Sequence, residues 1–484
     1  MPERSSSVSS SSSVNSNGGV NSSEASMKTR DFSAMVKAFH QSYDKIVELS
    51  LESYYEEELP GLHSFLDRDK KMMQYTIKGG QCFRGVLVFA ATLELIERRG
   101  EGAPSAERIQ QIMSVGWALE ILQAAFLVAD DIMDESHTRR GKACWHKVDR
   151  VHAYNDVFKL EHFAFYILKH HLGKEDFASI QDIFRGVILK TAFGQGLDLE
   201  YSSLVKQLAL EWPGEEAVRT RLSMLAYDNI VAHKTSFYTF HLPLAAALCL
   251  ARGGDEGDNR NTDDEREGEG DISRINVKRG VKGKRSDDFM GDAKDGENME
   301  QRSASDEERY PSSSSSSFSS RGRVGGGASS SEELAKKIGL ELGQYFQVQD
   351  DFLDVYGDPK KTGKIGTDIE QRKLTWLMAK AVEKTTDEKD LRALFQPSKR
   401  YVENVKGIFA RLSLRECYLE YEASVCAKIK NWVRQGSSQL PTETILLILN
   451  KVYSSRVKKE STNISATTTA STSSSTTGIS VVAS

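Results

Sequence analysis

The chain has 484 residues, of which 39% are apolar and 36 are glycine, so disorder of the whole chain is excluded. Its 64 basic and 69 acidic residues nearly balance, and this leaves no chain-wide basic field for binding nucleic acid. Only 9 prolines occur, and so few helix breakers favour helices. The five cysteines are scattered without CxxC spacing, a pattern typical of reduced thiols inside cells.

Three segments contain too few apolar residues to form a core. They are a leader over 1–26, an internal insertion over 252–331 and a tail over 461–484. Such polar, Ser- and Gly-rich sequence cannot offset its own ordering entropy, so we expect all three segments to be disordered. The basic stretch KRGVKGKR (278–285) within the insertion is a candidate partner site, but a solvated surface is the simpler interpretation.

The leader gives little support for targeting. It is Ser-rich and poor in acidic residues, as organelle transit peptides are, but it has one arginine before Lys28 and no amphipathic period. We therefore expect a cytoplasmic location, with the mitochondrion as second choice. The longest apolar run, over 242–251, is half of the roughly 20 residues that a spanning helix needs, so no membrane span is expected.

The remaining sequence, 27–460 without the insertion, predicts one all-α domain interrupted by a loop. Apolar residues recur at three- and four-residue steps over 114–134 and again over 332–354. Strand-like alternation is nearly absent. The serines at 329–331, followed by Glu332 and Glu333, are typical of a helix start.

Two acidic motifs end strongly apolar helices. Their aspartates are Asp130, Asp131 and Asp134 in DDIMD, and Asp350, Asp351 and Asp354 in DDFLD. Because residues i and i+4 share a helix face, each motif presents two carboxylates with a third beside them. Oxygen ligands of this kind suit Mg²⁺, which often shares its coordination with phosphates. A solvated helix end would explain one such motif, but two motifs beside apolar runs favour a site that holds a diphosphate through several Mg²⁺ ions.

Both motifs lie in longer stretches that resemble a known family. The segments LQAAFLVADDIMDESHTRRGKACW (122–145) and DDFLDVYGDPKKTGKIGTDIEQRK (350–373) are similar to the two aspartate-rich regions of short-chain trans-isoprenyl diphosphate synthases. The similarity is closest to the members that make farnesyl diphosphate. The similarity extends over nearly all of 27–460 outside the insertion. The paired aspartate motifs with RRG, GQGLDL, HKTSFYTF and TGKIGTD form a highly specific combination.

The resemblance implies a fold and a reaction. The fold is a single isoprenoid-synthase-type helical bundle around a deep central cavity, and the protein is expected to be a homodimer. The reaction is the Mg²⁺-dependent head-to-tail condensation of dimethylallyl and geranyl diphosphate with isopentenyl diphosphate, giving farnesyl diphosphate. The family pattern implies three Mg²⁺ ions per active site.

The resemblance also assigns residues to the two substrates, and guanidinium and ammonium groups suit the phosphate oxygens. The allylic diphosphate is assigned Arg139, Lys234, Lys364 and Lys373. The isopentenyl diphosphate and its surroundings are assigned Gly80, Gln81, Arg84, Gln123 and Arg140. Beside the reacting carbon, the family places Thr235 and Gln347, with Thr191 and Gln195 lining the same cavity. Together with Lys234 they are the candidate catalytic residues, and hydrogen bonding along a helix face is the alternative role for Thr235 and Gln347.

One position departs from the family pattern. The motif GGKxxRG is GGQCFRG here, so Gln81 replaces the lysine that binds isopentenyl diphosphate. A neutral amide loses a charge-assisted contact. Lys78 would compensate if it lay on the same helix, because residues i and i+3 are neighbours there.

Product length is predicted from Ala125 and Phe126, which lie five and four residues before Asp130. Family members that stop at fifteen carbons carry bulky aromatic residues at these positions. A methyl group in place of a ring leaves volume for a longer prenyl tail. We therefore expect farnesyl diphosphate with some geranylgeranyl diphosphate.

Two alternatives are weaker. A terpene cyclase also carries a DDxxD helix, but its second metal motif has an Asn/Ser/Glu pattern, whereas the second motif here repeats the first. A non-catalytic or regulatory subunit of a prenyl synthase would be expected to lack aspartates in one motif. All six are present, and only Gln81 supports that alternative.

Overall fold

A computed structural model describes residues 32–252, 330–358, 366–436 and 438–452. The predicted leader and tail lie outside the described residues, and so does nearly all of the predicted insertion. Lys364, predicted to bind the allylic diphosphate, also lies outside them.

The predicted all-α fold is confirmed. In the described residues, the only strands are the two-residue β1 (Thr138–Arg139) and β2 (Lys142–Ala143), which pair antiparallel. The helices are α1 (Phe32–Gln41), α2 (Leu49–Glu57), α3 (Leu66–Ile77), α4 (Phe83–Arg99), α5 (Ala106–Met133), α6 (Trp145–Val148), α7 (Ala153–His171), α8 (Lys174–Leu208), α9 (Glu215–Arg221), α10 (Met224–Val231), α11 (Leu242–Arg252), α12 (Ser330–Tyr356), α13 (Asp368–Gln371), α14 (Trp376–Lys384), α15 (Glu388–Ala393), α16 (Tyr401–Arg411), α17 (Leu414–Gln435) and α18 (442–452). Short π-helical segments over Asp44–Glu48 and Ala232–His241 and a 3-10 turn over His63–Phe65 complete them.

The parts of the chain before and after the insertion pack into one another. Helix α12 lies along the Ala232–His241 segment and also contacts α11, so residues on both sides of the insertion share one interior. One apolar cluster surrounds Trp117 of α5, whose ring stacks on Phe39 at 4.4 Å. A second cluster surrounds Tyr418 of α17, which stacks on Phe352 at 3.9 Å. The first aspartate motif therefore ends a helix of the first cluster, and the second motif ends α12, which begins in the first cluster and ends in the second.

Helix α5 is more apolar than we expected from the sequence, where the longest apolar run lies over 242–251. By length and composition it could cross a membrane, but 83% of its most apolar window is buried inside the fold. Ser105 caps its first turn by accepting a hydrogen bond from the Arg108 amide at 3.1 Å. Burial on nearly every side explains the apolar composition, since a helix that is apolar all round belongs in a core.

Between α10 and α11 the helix is wound as a π-helix over Ala232–His241. Two neighbouring helices approach this segment through glycine. A Cβ atom at Gly194 of α8 would overlap the Lys234 backbone, and one at Gly343 of α12 would overlap Ser236. Glycine at these positions lets three backbones approach closely around the segment that carries Lys234 and Thr235. Short π-helical stretches of this kind are frequent at functional sites.

We expect Gly194→Ala to destabilise the fold. The new methyl group would overlap the Lys234 backbone, and overpacking of this kind costs about 1–3 kcal/mol. The matched control is Gly196→Ala on the same helix, where a Cβ meets nothing within 4 Å. The control should be neutral or slightly stabilising, because alanine favours helix. The melting temperatures of the two variants are measured by circular dichroism. Equal melting temperatures would contradict the close approach of the Lys234 backbone to Gly194.

Candidate active site

The first aspartate motif ends α5, and its three carboxylates point in two directions. Asp130 and Asp134 are half-buried and share the outer face of the helix end. Asp131 is buried, because the helix turns about 100° per residue and carries it inward. Asp130 and Asp134 are therefore the pair placed to meet a ligand.

The RRG sequence that follows forms a tight hairpin turn. Arg140 and Gly141 both have positive φ, at 54° and 74°, as the two-residue hairpin that joins β1 to β2 requires. The turn brings Arg139 back over the motif, where its guanidinium donates to Asp131 at 2.8 Å and to Asp130 at 3.1 Å. Arg139 therefore contacts the aspartate motif, whereas the neighbouring Arg140 points away from it.

Lys234 bridges two acidic helices. Its ammonium donates to Asp130 of α5 at 3.1 Å and to Asp198 of α8 at 2.6 Å. Burial alone would lower the pKa of Lys234, but Asp198 and Asp130 outweigh it and hold that pKa above its ordinary value. On the other side, Lys373 donates to Asp134 at 2.5 Å. The outer carboxylates of the first motif are therefore each paired with a lysine.

In the second motif, Asp351 is turned into the interior and its oxygens are occupied. One oxygen accepts from the Tyr227 hydroxyl and the Trp376 amide, both at 2.8 Å, and the other accepts from Gln347 at 2.9 Å. Burial raises the pKa of Asp351 to about 6 despite these three donors. Asp351 therefore orients Gln347, and Asp350 and Asp354 are the half-buried members of the motif.

A further carboxylate, Asp368, lies against the second motif. Its amide donates to Asp354 at 3.1 Å, and Gly366 is packed so tightly that a Cβ there would overlap the Asp354 carbonyl. Burial, and then the carboxylates of Asp354 and Asp351, raise the pKa of Asp368 to about 8. Negative charge thus accumulates at this motif, as it does where a cation is expected to bind.

The residues fit a hard divalent cation in part. Among the described residues, no group of three or more His, Cys, Asp or Glu side chains converges closely enough to hold a metal ion. The donor atoms at both motifs are carboxylate oxygens, which suit Mg²⁺, and the crowded acids around Asp368 favour added positive charge. The remaining ligands would have to come from outside the protein, as phosphate oxygens do in many Mg²⁺ sites.

Thr235, Gln347 and Asp351 form a short hydrogen-bonded chain. The Thr235 hydroxyl donates to the Gln347 carbonyl oxygen at 2.9 Å, and the Gln347 amide donates to Asp351 at the same distance. The structure thus brings together two side chains that the resemblance placed beside the reacting carbon. Their oxygen dipoles are fixed by a buried carboxylate rather than left free to rotate.

Four predicted substrate residues carry buried polar atoms without a hydrogen-bond partner. Among the described residues ten such atoms occur, and four of them are Arg84 Nε, Gln123 Oε1, Thr191 Oγ1 and Gln195 Nε2. Buried polar groups are normally paired, so unpaired ones mark places where a ligand or water completes the bonding. Thr191 and Gln195 lie four residues apart on α8, on the stretch that leads to Asp198.

Gly80, Gln81 and Arg84, three of the residues assigned to isopentenyl diphosphate, lie in the loop before α4 or in its first turn. Arg84 donates to Tyr238 at 3.1 Å and to Thr239 at 2.9 Å, and its guanidinium lies over the Tyr238 ring. Arg140 packs against Gly80, where a Cβ would stand 2.8 Å from the guanidinium carbon. Desolvation of the guanidinium lowers the pKa of Arg140 from its ordinary value, although the residue as a whole is exposed.

Position 81 gains no help from Lys78. Helix α3 ends at Ile77 and α4 begins at Phe83, so Lys78 and Gln81 do not share a helix. The Lys78 ammonium instead lies 3.3 Å from an Asp44 carboxylate oxygen and makes a cation–π contact with the Tyr43 ring. The expectation that Lys78 compensates for Gln81 is therefore wrong.

The two product-length residues have different surroundings. Ala125 is only 1% exposed, so its methyl group is packed against neighbours. Phe126 is half-buried and meets Tyr238 edge to face, with ring centroids 5.4 Å apart. The Tyr238 ring therefore contacts both Phe126 and the Arg84 guanidinium.

Sequence reasoning missed three residues of this site. Asp198 and Asp368 lie in GQGLDL and TGKIGTD, the stretches that carried the resemblance, yet neither was singled out. Tyr238 lies in HKTSFYTF. Asp198 could have been found from spacing, because it is three residues beyond Gln195 on one helix.

Comparison with known proteins agrees with this geometry. The family model described as Polyprenyl synthetase matches residues 68–267 and 312–412. The chain is 31% identical to farnesyl pyrophosphate synthase of Gallus gallus over 402 residues, which cover 81% of this chain and 86% of that protein. It is 32% identical to farnesyl pyrophosphate synthase of Zea mays over 390 residues, covering 79% and 86%.

A solved structure shows the same fold. Farnesyl diphosphate synthase of T. brucei, complexed with bisphosphonate BPH-722, superposes with a TM-score of 0.62 at 23% identity. The match covers 87% of this chain and 99% of that one. The isoprenoid-synthase type of helical bundle expected from the sequence is therefore confirmed.

Proposed function

The chain belongs to the polyprenyl synthetase family, and from this premise we propose that it makes farnesyl diphosphate. The substrates are dimethylallyl and geranyl diphosphate, each joined head to tail to isopentenyl diphosphate. The bridge from Lys234 to Asp130 and Asp198 is the observation that supports this most directly. It places a half-buried ammonium between aspartates of two helices, where a diphosphate and its counter-ions would need both positive and negative groups.

The first half of the reaction needs a stabilised leaving group. The carbon–oxygen bond of the allylic diphosphate breaks, and its electron pair leaves with the diphosphate. Arg139, Lys234 and Lys373 lie together over the first motif and can donate to the phosphate oxygens as negative charge develops. Their fixed positions lower the barrier without rearrangement during the step.

The second half needs a protected carbocation. The Thr235 hydroxyl oxygen and the Gln347 carbonyl oxygen are dipoles held in place by the chain to Asp351. The resemblance places Thr191 and Gln195 in the same cavity, and each carries a buried polar atom without a hydrogen-bond partner among the described residues. The double bond of isopentenyl diphosphate forms the new carbon–carbon bond, and a proton then passes to the released diphosphate.

We propose that the metal is Mg²⁺, with three ions per site. Asp130, Asp134, Asp350 and Asp354 are the carboxylates that would hold it, since Asp131 and Asp351 are turned inward. When bound, the metal supplies positive charge that stabilises the leaving diphosphate. The proposal is supported by the oxygen donor set and by the crowded acids at the second motif.

We expect the purified chain to convert dimethylallyl and isopentenyl diphosphates to C15 product with a C20 fraction. Turnover should require Mg²⁺ and stop when a chelator is added. Chromatography of the dephosphorylated products measures both. The absence of product even with Mg²⁺ present would contradict the proposed activity and favour a non-catalytic subunit.

Two variants provide the control for product length. Ala125→Phe adds a ring at the wall and should remove the C20 fraction while C15 synthesis continues. Phe126→Ala removes the ring that meets Tyr238 and should enlarge the C20 fraction several-fold. Because Ala125 is packed, the melting temperature of Ala125→Phe is measured alongside. A C20 fraction unchanged in both variants would contradict the prediction that residues 125 and 126 limit product length.

We propose that the chain forms a homodimer through α7 and α8. Five large apolar side chains at or near these adjoining helices are 60–84% exposed. They are Val151, Tyr154, Phe158, Leu189 and Phe193. A concentration of apolar surface such as this marks an interaction site, and a second copy of the chain covers its own patch by two-fold symmetry.

Light scattering should give the wild-type chain twice its monomer mass. Phe193→Glu buries a charge at the proposed interface and should shift the mass to that of the monomer. Leu210→Glu is the control, because Leu210 is even more exposed than Phe193 but lies beyond the end of α8. A monomeric wild-type chain, or a dimer that survives Phe193→Glu, would contradict the assignment.

A further inference from the structure

The hairpin of β1 and β2, which carries Arg139, packs on helix α3. The Tyr75 hydroxyl of α3 donates to the Ala143 carbonyl of β2 at 2.8 Å. The Lys142 ammonium lies over the same tyrosine ring, 5.6 Å from its centre. Arg140, in the turn, donates to the last two backbone carbonyls of α3 at 3.3 and 3.4 Å. Both β2 and the turn are therefore attached to one helix.

The hairpin is too short to hold its own position. Each of its strands has two residues, and an isolated two-stranded hairpin is marginally stable in water even when it is longer. The positive φ of Arg140 adds a further cost, because a side chain other than that of glycine disfavours this conformation. The direction in which Arg139 points is therefore determined by the groups on which the hairpin packs.

Just beyond the hairpin, the chain is anchored in the interior by Trp145, which begins α6 and is buried. Its indole donates to a carboxylate oxygen of Asp156 on α7 at 2.8 Å. The Asp156 side chain is fully buried, and a buried carboxylate is costly unless it is hydrogen-bonded and paired. The Tyr75 ring also contacts Trp145, with ring centroids 5.3 Å apart. Trp145 thus ties the end of the hairpin to α7 and to α3.

The charge of Asp156 is balanced by Arg68 of α3. The guanidinium donates to both Asp156 oxygens, to one of them at 2.5 Å. It also donates to Asp149, which ends α6, at 2.8 Å. Because one guanidinium contacts both carboxylates, charge-assisted hydrogen bonds join α3, α6 and α7. The anchor of Trp145 is therefore itself fixed from two helices.

We propose that Arg68, Trp145 and Asp156 are positioning residues for the reaction, because they hold the hairpin so that Arg139 stays over the first aspartate motif. This inference rests on the proposed function, in which Arg139 donates to the leaving diphosphate. A guanidinium binds two oxygens through a planar fork, so its direction matters as much as its distance. Loosening the hairpin would leave the charge of Arg139 in place but misalign its donors.

The test compares Trp145→Phe with Tyr55→Phe. Trp145→Phe keeps an aromatic ring but removes the donor to Asp156. Tyr55 is a matched control, because it is also buried and its hydroxyl donates at 2.8 Å to Asp69, another carboxylate bound by Arg68. Each variant removes one hydrogen bond around the same guanidinium, so both should lower the melting temperature. We expect only Trp145→Phe to lower kcat, by about tenfold, since misplacement by remote changes can cost up to about a hundredfold.

Combination with Arg139→Lys tests whether the effect passes through Arg139. In that variant the fork is already lost, so adding Trp145→Phe should lower kcat by less than about twofold. An unchanged kcat in Trp145→Phe, an equal loss in Tyr55→Phe, or the same loss in both Arg139 backgrounds would overturn the inference while leaving the proposed function intact. A wild-type chain that forms no product would overturn both.

Tyr75→Phe is a second test that does not depend on the folding of Trp145→Phe. It removes only the hydroxyl that donates to Ala143, at a half-buried position. We expect kcat to fall about threefold, and by less when Arg139→Lys is also present. A kcat equal to that of the wild type would contradict the role of α3 in holding the hairpin.

Discussion

The ammonium of Lys234, shared between Asp130 and Asp198, is the interaction on which the rest of the site depends. It ties the end of α5 to the middle of α8 through a residue of the π-helical segment. Gly194 of α8 and Gly343 of α12 let the backbones of those two helices come into contact with that segment. The packing of small residues therefore determines where the charges lie.

The same interaction affects how the site meets a metal ion. In the free chain, Asp130 and Asp134 already pair with Lys234 and Lys373, so a metal binding alone would have to displace ammonium groups. A diphosphate offers those lysines new acceptors and at the same time provides ligands to the metal. The ion pairs thus couple binding of the metal to binding of the diphosphate.

Much of this site was predictable from the sequence, since the two DDxxD motifs, the arginine pair and the helical period all appear where expected. The inward turn of Asp131 and Asp351 was not predictable, because the helix period places them beside the motif without saying which side is buried. The close contacts of Gly194 with Lys234 and of Gly343 with Ser236 depend on residues far apart in the chain. Only the packed structure brings those residues together.

The coupling between metal and diphosphate is tested most directly by calorimetry. Mg²⁺ is titrated into the purified chain with and without inorganic diphosphate, and the heat of Mg²⁺ binding to free diphosphate is subtracted. The structure predicts that Mg²⁺ binds at least about tenfold more tightly when diphosphate is present. Equal Mg²⁺ affinity in the two titrations would contradict the account, because the lysine–aspartate pairs would then not oppose the metal.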